Sequence, residues 1–329
     1  MGEVSINLDS NKKRIDYIDI LRGLCIILIV WYHTDHPSFL DYPFYNSTLF
    51  FVSGMLFKPS DIKTFLRKKF WRLFIPFLFF YLIYYLFLIA INLAKYHTVS
   101  YEIYSSIFDV FRWYKDHDAY TCNYPLWFIW ALFWLQFASI ILTRFIKQPI
   151  YLISISLLVS VLGYLYIQHI PTPFILGRSF TFLVYFIAGY LFFTLYNNKD
   201  LKTVMIISAA AWVTAYFIRA HFYMPFISTA IYCIEFVALS VVLLQLCKII
   251  PSKLIRKVLV YFGINSLIVF GMHDMYLTTL RIATTSIFGN MTLSLGVMNW
   301  LLTLLLMIPT IYILNKYFPI FVGKKVVKA

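Results

Sequence analysis

The chain has 329 residues, of which 61% are hydrophobic, 20% aromatic and only 13% charged. Water-soluble domains run near about 45–50% apolar and about 25% charged, so this balance excludes an ordinary soluble domain and points to a membrane bundle. The net charge of +14 does not indicate nucleic acid, because Lys and Arg fall in short clusters between apolar runs, as in cytoplasmic membrane loops.

In chain order, the polar stretch Met1–Arg14 leads into a full-length apolar run, so no cleavable leader is expected. Ten runs approach the length of about 20 residues that a helix needs to cross a bilayer. They cover 16–34, 44–57, 70–94, 125–144, 149–168, 174–196, 201–219, 225–248, 261–280 and 297–318. The second is short, and a tilt or a break at Gly54 is expected there. The predicted fold is an all-α membrane protein, a bundle of about ten transmembrane helices.

Placing the N-terminus inside puts 22 of the 28 Lys and Arg residues on the inner side and 6 on the outer. That asymmetry predicts two cytoplasmic termini. The outer loop 95–123 carries Glu102, Asp109, Asp116 and Asp118. It is shorter than the roughly 50 residues a domain needs, so residues 1–329 are expected to form a single transmembrane domain. Chemistry must then use groups inside or at the edges of the bundle. Cys25, Cys233 and Cys247 lie in or beside apolar runs and Cys122 in a polar loop, which is no disulfide framework.

The first span contains RGLCIILIVWYH, residues 22–33, with a cation at one end and an imidazole at the other. At about 100° and 1.5 Å per residue, Arg22 and His33 share one helix face roughly 16 Å apart. Snorkelling of Arg22 and capping by His33 would explain each residue alone. An intramembrane Arg costs on the order of 2.5–3.5 kcal/mol on insertion scales, which snorkelling largely relieves, so cost does not decide between the readings.

Further motifs accompany this stripe: FFVSGMLF at 50–57, KFWRLFIP at 69–76, LWFIWALFW at 126–134, YFIAGYLFF at 185–193 and FGINSLIVFGMH at 262–273. Together they resemble the acyltransferase-3 family of integral membrane acyltransferases, which includes sugar O-acetylases of bacterial surface polysaccharides. Arg22 and His33 match its Arg-or-Lys, ten residues, His signature. Ser53-Gly54 matches in the second span, Arg72 and Pro76 at the start of the third. Gly263, Asn265, Ser266, Leu267 and His273 match the later motif.

The resemblance implies transfer of an acyl group, with acetyl the default, from cytoplasmic acyl-CoA to a hydroxyl of a surface glycan or lipid-linked sugar in a bacterial inner membrane. No metal is expected, and membrane lipids are the other partner. CoA is strongly anionic. Arg67, Lys68, Lys69 and Arg72, with Ser53 nearby, are therefore donor-binding candidates, and Arg22 would hold or orient the donor. A plain topology signal would also account for the 67–72 cluster.

A neutral His33 can accept the proton of an attacking hydroxyl, and a covalent acyl-histidine is the variant. His273 is expected at a similar depth, orienting the acceptor or stabilising the oxyanion. Asp274 beside it points to another helix face and is a poor partner for it. Asp35, Glu235 and Trp127 are candidates for the acceptor. Glu235, inside a span, needs a partner, for which Arg178, Arg219 and Arg281 are available. Asp35 and His36 could equally be a polar helix terminus, and Trp127 part of an interfacial belt. A transporter of a lipid-linked sugar or small anion is the alternative, although no matching halves are visible.

Overall fold

The computed structural model describes residues 15–34, 42–115, 122–196, 201–221 and 224–324. The described chain is almost wholly helical. The elements are α1 (Asp16–Tyr32), α2 (Phe44–Met55), α3 (Ile62–Lys69), α4 (Ile75–Tyr96), the short α5 (Tyr101–Ser105), α6 (Trp127–Phe145) and α7 (Pro149–Leu165). They continue with α8 (Leu176–Phe180), α9 (Leu183–Tyr196), α10 (Leu201–His221), α11 (Pro225–Ile249), α12 (Lys253–Ile264), α13 (Ser266–Phe288) and α14 (Leu293–Tyr317). A π-helical turn, Phe70–Phe74, joins α3 to α4. Two-residue strands, Trp113–Tyr114 and Thr172–Pro173, pair antiparallel and tie the loop after α5 to the α7–α8 connection.

Six helical stretches are long and apolar enough to cross a bilayer, and α12 with α13 would make a seventh if the pair, bent by 86°, is one span. This is an all-α membrane protein, but the straight ten-run pattern is interrupted. The expected run 174–196 divides into α8 and α9, with Ile175 in a left-handed conformation before α8. The run 261–280 breaks at Asn265, whose side-chain amide donates to the Tyr261 carbonyl at 2.8 Å and competes with the helical ladder. Apolar run length registers composition and is blind to such breaks.

Helices α1, α2 and α9 sit at the centre. Ile20, Leu21, Cys25, Ile26 and Val30 of α1, Phe50, Phe51 and Val52 of α2, and Phe186 and Ile187 of α9 are all fully buried. A helix sheathed in protein does not have to shield its own ends from hydrocarbon. The long α10 is peripheral, with Ile206, Ile207 and Phe217 facing outward; a lipid environment accepts such a surface and water does not.

Two pairs of glycines bring these central helices into backbone contact. A β-carbon on Gly23 would lie 1.9 Å from the Leu259 carbonyl oxygen, and one on Gly263 1.9 Å from that of Asp19, so α1 and α12 touch through both. Gly54 and Gly189 repeat the arrangement between α2 and α9, at 1.8 Å from Phe186 O and 1.9 Å from Phe51 O. Small residues permit such approach between membrane helices. Gly54 thus marks a close crossing near the end of α2. Gly54→Val is expected to pry α2 from α9 and to destabilise the fold by about 1–3 kcal/mol. A lowered melting temperature of the detergent-solubilised protein would report it.

Candidate active site

α1 ends at Tyr32 and His33 caps it, its N–H donating to the Ile29 carbonyl at 3.2 Å. The Arg281 guanidinium donates to the His33 carbonyl at 3.2 Å, placing a cation at the negative end of the helix. The His33 ring lies 5.2 Å, centroid to centroid, from the ring of His273 and 6.1 Å from that of Tyr124. His273, Asp274 and Arg281 are the titratable neighbours whose charges act on it.

His273 is fully buried on α13. Its Nδ1 lies 2.8 Å from the Val269 carbonyl. A carbonyl can only accept, so Nδ1 is assigned the proton and Nε2 keeps its lone pair. That Nε2 is buried and, among the described residues, has no hydrogen-bond partner. Asp274 does not set this tautomer; its carboxylate accepts from the Tyr84 hydroxyl at 2.6 Å. Asn123, in a left-handed conformation, donates to the Gly271 carbonyl at 2.7 Å and thereby holds the start of the Tyr124 segment against α13.

His33 opens onto a cavity of about 400 Å³. Its wall draws on the C-terminal ends of α1 and α7 and the N-terminal ends of α2, α6, α9 and α11, the ends that the charge alternation assigns to one side. Tyr32, Tyr124, Tyr164, Tyr185 and Tyr232 give it hydroxyls and ring faces, and Trp127 a broad aromatic plane. Trp127, singled out in the sequence for the acceptor, therefore lines the cavity. Arg178 does too, its guanidinium carbon lying over the Trp127 ring, 4.0 Å from the centroid.

Arg22 also faces α13. Its Nη2 donates to the Ser266 hydroxyl at 2.9 Å and its Nη1 pairs with Asp19 at 3.4 Å. The side chain is about a third exposed, at 31%. Asn265, beside Ser266, accepts from Asn315 at 2.9 Å and from Lys324 at 3.1 Å. The elbow between α12 and α13 thus collects polar side chains at the end of the bundle opposite His33. The cavity at His33 extends no further along α1 than Ile29, so it does not join the two ends of the Arg22–His33 stripe.

Arg67, Lys68 and Arg72 are exposed, and Lys69 is half-buried with its ammonium 5.9 Å from the Phe65 ring. They form a basic face on α3 and the π turn. Ser53 turns its hydroxyl to its own helix, donating to the Leu49 carbonyl at 2.7 Å, and does not join that face. Asp35 and His36 lie outside the described residues.

Glu235 lies on α11. It is fully buried, but its carboxylate is occupied by Arg219 at 2.6 Å and 3.4 Å and by the Tyr42 hydroxyl. Trp212 donates to the same Tyr42 hydroxyl at 3.2 Å. Glu235 is absent from the cavity wall. It fastens α10 to α11 and to the segment before α2. Of the three arginines considered as its partner, Arg219 is the one.

Sequence reasoning passed over Asn123, Tyr124 and Tyr84, and weighed Arg178 only as a partner for Glu235. The segment NYPLWF carried the available signal: an Asn and a Pro directly before an aromatic helix start, where chain reversals bring polar groups inward.

The structure is thus a membrane helical bundle in which His33 lines a cavity and the His273 ring lies behind it. A family model described as an acyltransferase domain matches residues 15–314, nearly the whole chain. The chain belongs to this family, acyltransferase-3, and is a multi-pass membrane acyltransferase. No curated protein and no solved structure is similar enough to register as a match.

Proposed function

We propose that the protein moves an acyl group, acetyl by default, from cytoplasmic acyl-CoA to a hydroxyl of a surface-glycan or lipid-linked sugar. The observation that carries this reading is His33, paired with His273 across 5.2 Å, on the wall of an aromatic and hydroxyl-rich cavity. Rings of Trp and Tyr suit the faces of a sugar, and a few polar groups fix its orientation.

His33 takes the proton of the acceptor hydroxyl as its oxygen bonds to the thioester carbonyl carbon. The carbon–sulfur bond then breaks. The imidazolium returns the proton to the departing CoA thiolate, leaving an ester and free CoA thiol. His273, held in one tautomer by Val269, steadies the His33 ring or the acceptor hydroxyl. Arg22 and the face of Arg67, Lys68, Lys69 and Arg72 attract the donor's phosphates from the cytoplasmic side. For the thioester to reach His33, the bundle must open between Ile29 and Arg22 when the donor binds. The ten-crossing topology with both termini in the cytoplasm of a bacterial cell belongs to this proposal; its support is the 22-to-6 distribution of basic residues.

The test is incubation of the purified protein with radiolabelled acetyl-CoA and a panel of sugar acceptors, following label in the sugar and release of CoA thiol. Equimolar appearance of both is expected. No release of CoA with any acceptor, combined with solute movement across vesicles holding the protein, would favour the transporter alternative.

A further inference from the structure

The cavity holds a cation that acyl transfer to a neutral sugar does not require. Arg178, on α8, lines it beside Trp127. Its Nη1 is buried without a hydrogen-bond partner among the described residues. The groups that do hold the guanidinium are uncharged: the Trp127 ring at 4.0 Å and the Tyr124 hydroxyl. No Asp or Glu is among the described residues of the wall. The carboxylate of Glu235, on α11, is committed to Arg219.

A desolvated guanidinium with only neutral company among the described residues is costly unless an anion completes it. The Trp127 ring, 4.0 Å from the guanidinium carbon, covers one side of the fork, and Nη1 is left for a ligand. A planar fork fits a carboxylate or phosphate through two parallel hydrogen bonds. Trp127 thereby serves twice, as a platform for the cation and as a wall for the sugar.

We propose that Arg178 recognises an oxyanion carried by the acceptor glycan, either a carboxylate on the sugar or a phosphate on its carrier. The inference rests on the reading of this cavity as the acceptor site. Arg178 is then a specificity residue: it selects acidic acceptors and aligns their hydroxyl with His33.

Isothermal titration of the full-length protein in detergent tests this, with methyl glucuronoside, glucose 1-phosphate and methyl glucoside as probes. One or both anionic probes should bind at least about tenfold more tightly than the neutral glucoside, as charge-assisted hydrogen bonds imply. A preference for the glucuronoside assigns the carboxylate, and one for the sugar phosphate assigns the carrier. Arg178→Gln should abolish the difference while still binding the neutral probe, and Arg178→Lys should retain part of it.

Equal binding of charged and neutral probes by the wild type would overturn the proposal, whatever the variants do. So would no binding of any probe, or a preference that survives Arg178→Gln. A preference for succinyl-CoA over acetyl-CoA, lost in Arg178→Gln and with acceptors bound regardless of charge, would put the anion on the donor and also overturn it. Charge-selective binding without acyl transfer would keep this inference and sink the proposed sugar acylation. Transfer to neutral sugars alone would do the reverse.

Discussion

Replacing His33 by alanine is expected to lower kcat/KM for acyl transfer by about 10²–10⁴-fold, the usual contribution of a positioned general base. The loss should fall on kcat, because the ring meets the acceptor hydroxyl only as the bond forms. His273→Gln should cost less, since glutamine can still hydrogen-bond toward the His33 ring but cannot reproduce an imidazole lone pair. Release of CoA thiol together with label in the sugar measures both. Retention of full transfer by His33→Ala would remove the base from the mechanism. A loss in His273→Gln as deep as that in His33→Ala would mean that the two imidazoles act as one unit.

Arg219→Ala is the largest stability effect expected. It would strand a fully buried Glu235 carboxylate with only the Tyr42 hydroxyl beside it, at a cost of about 3–5 kcal/mol. The double variant Arg219→Leu with Glu235→Leu should recover much of that loss, because removing both charges removes the desolvation penalty as well. Thermal unfolding in detergent micelles would show the order: single variant lowest, double variant near wild type. If Arg219→Ala melted with the wild type, the pair would not hold α10 to α11.

Much of the bundle was legible because membrane helices advertise themselves by composition. Most apolar runs became helices near their expected limits, and α4, α7 and α11 deviate by only a few residues. What escaped were features decided by single polar side chains. The 86° bend between α12 and α13 falls at Asn265, whose amide donates to the Tyr261 carbonyl, and no loss of apolarity marks it. At the site, the spacing of Arg22 and His33 places both on one face, and their contacts Ser266 and His273 indeed lie on one helix, α13.

Which arginine would meet Glu235 was not legible in the sequence, for a physical reason. Depth along a span locates a carboxylate but not its azimuth, and the azimuth decided that Arg219, not the cavity, would receive it. Arg178 was hidden by the same limit: its role depends on a ring contact with Trp127, 51 positions earlier. The basic face of α3 was visible from sequence as charge alone.

The contacts of Arg22 with Ser266 and of His33 with His273 act as two rungs between parallel rails. The rungs are eleven residues apart on α1 and seven apart on α13. Each interval is within about 20° of a whole number of helical turns, so both rails present both rungs in phase. One residue added between the rungs on either rail would keep one and rotate the other away by about 100°. Helix pitch, as much as side-chain identity, therefore keeps the Arg22 rung and the His33 rung on a common face.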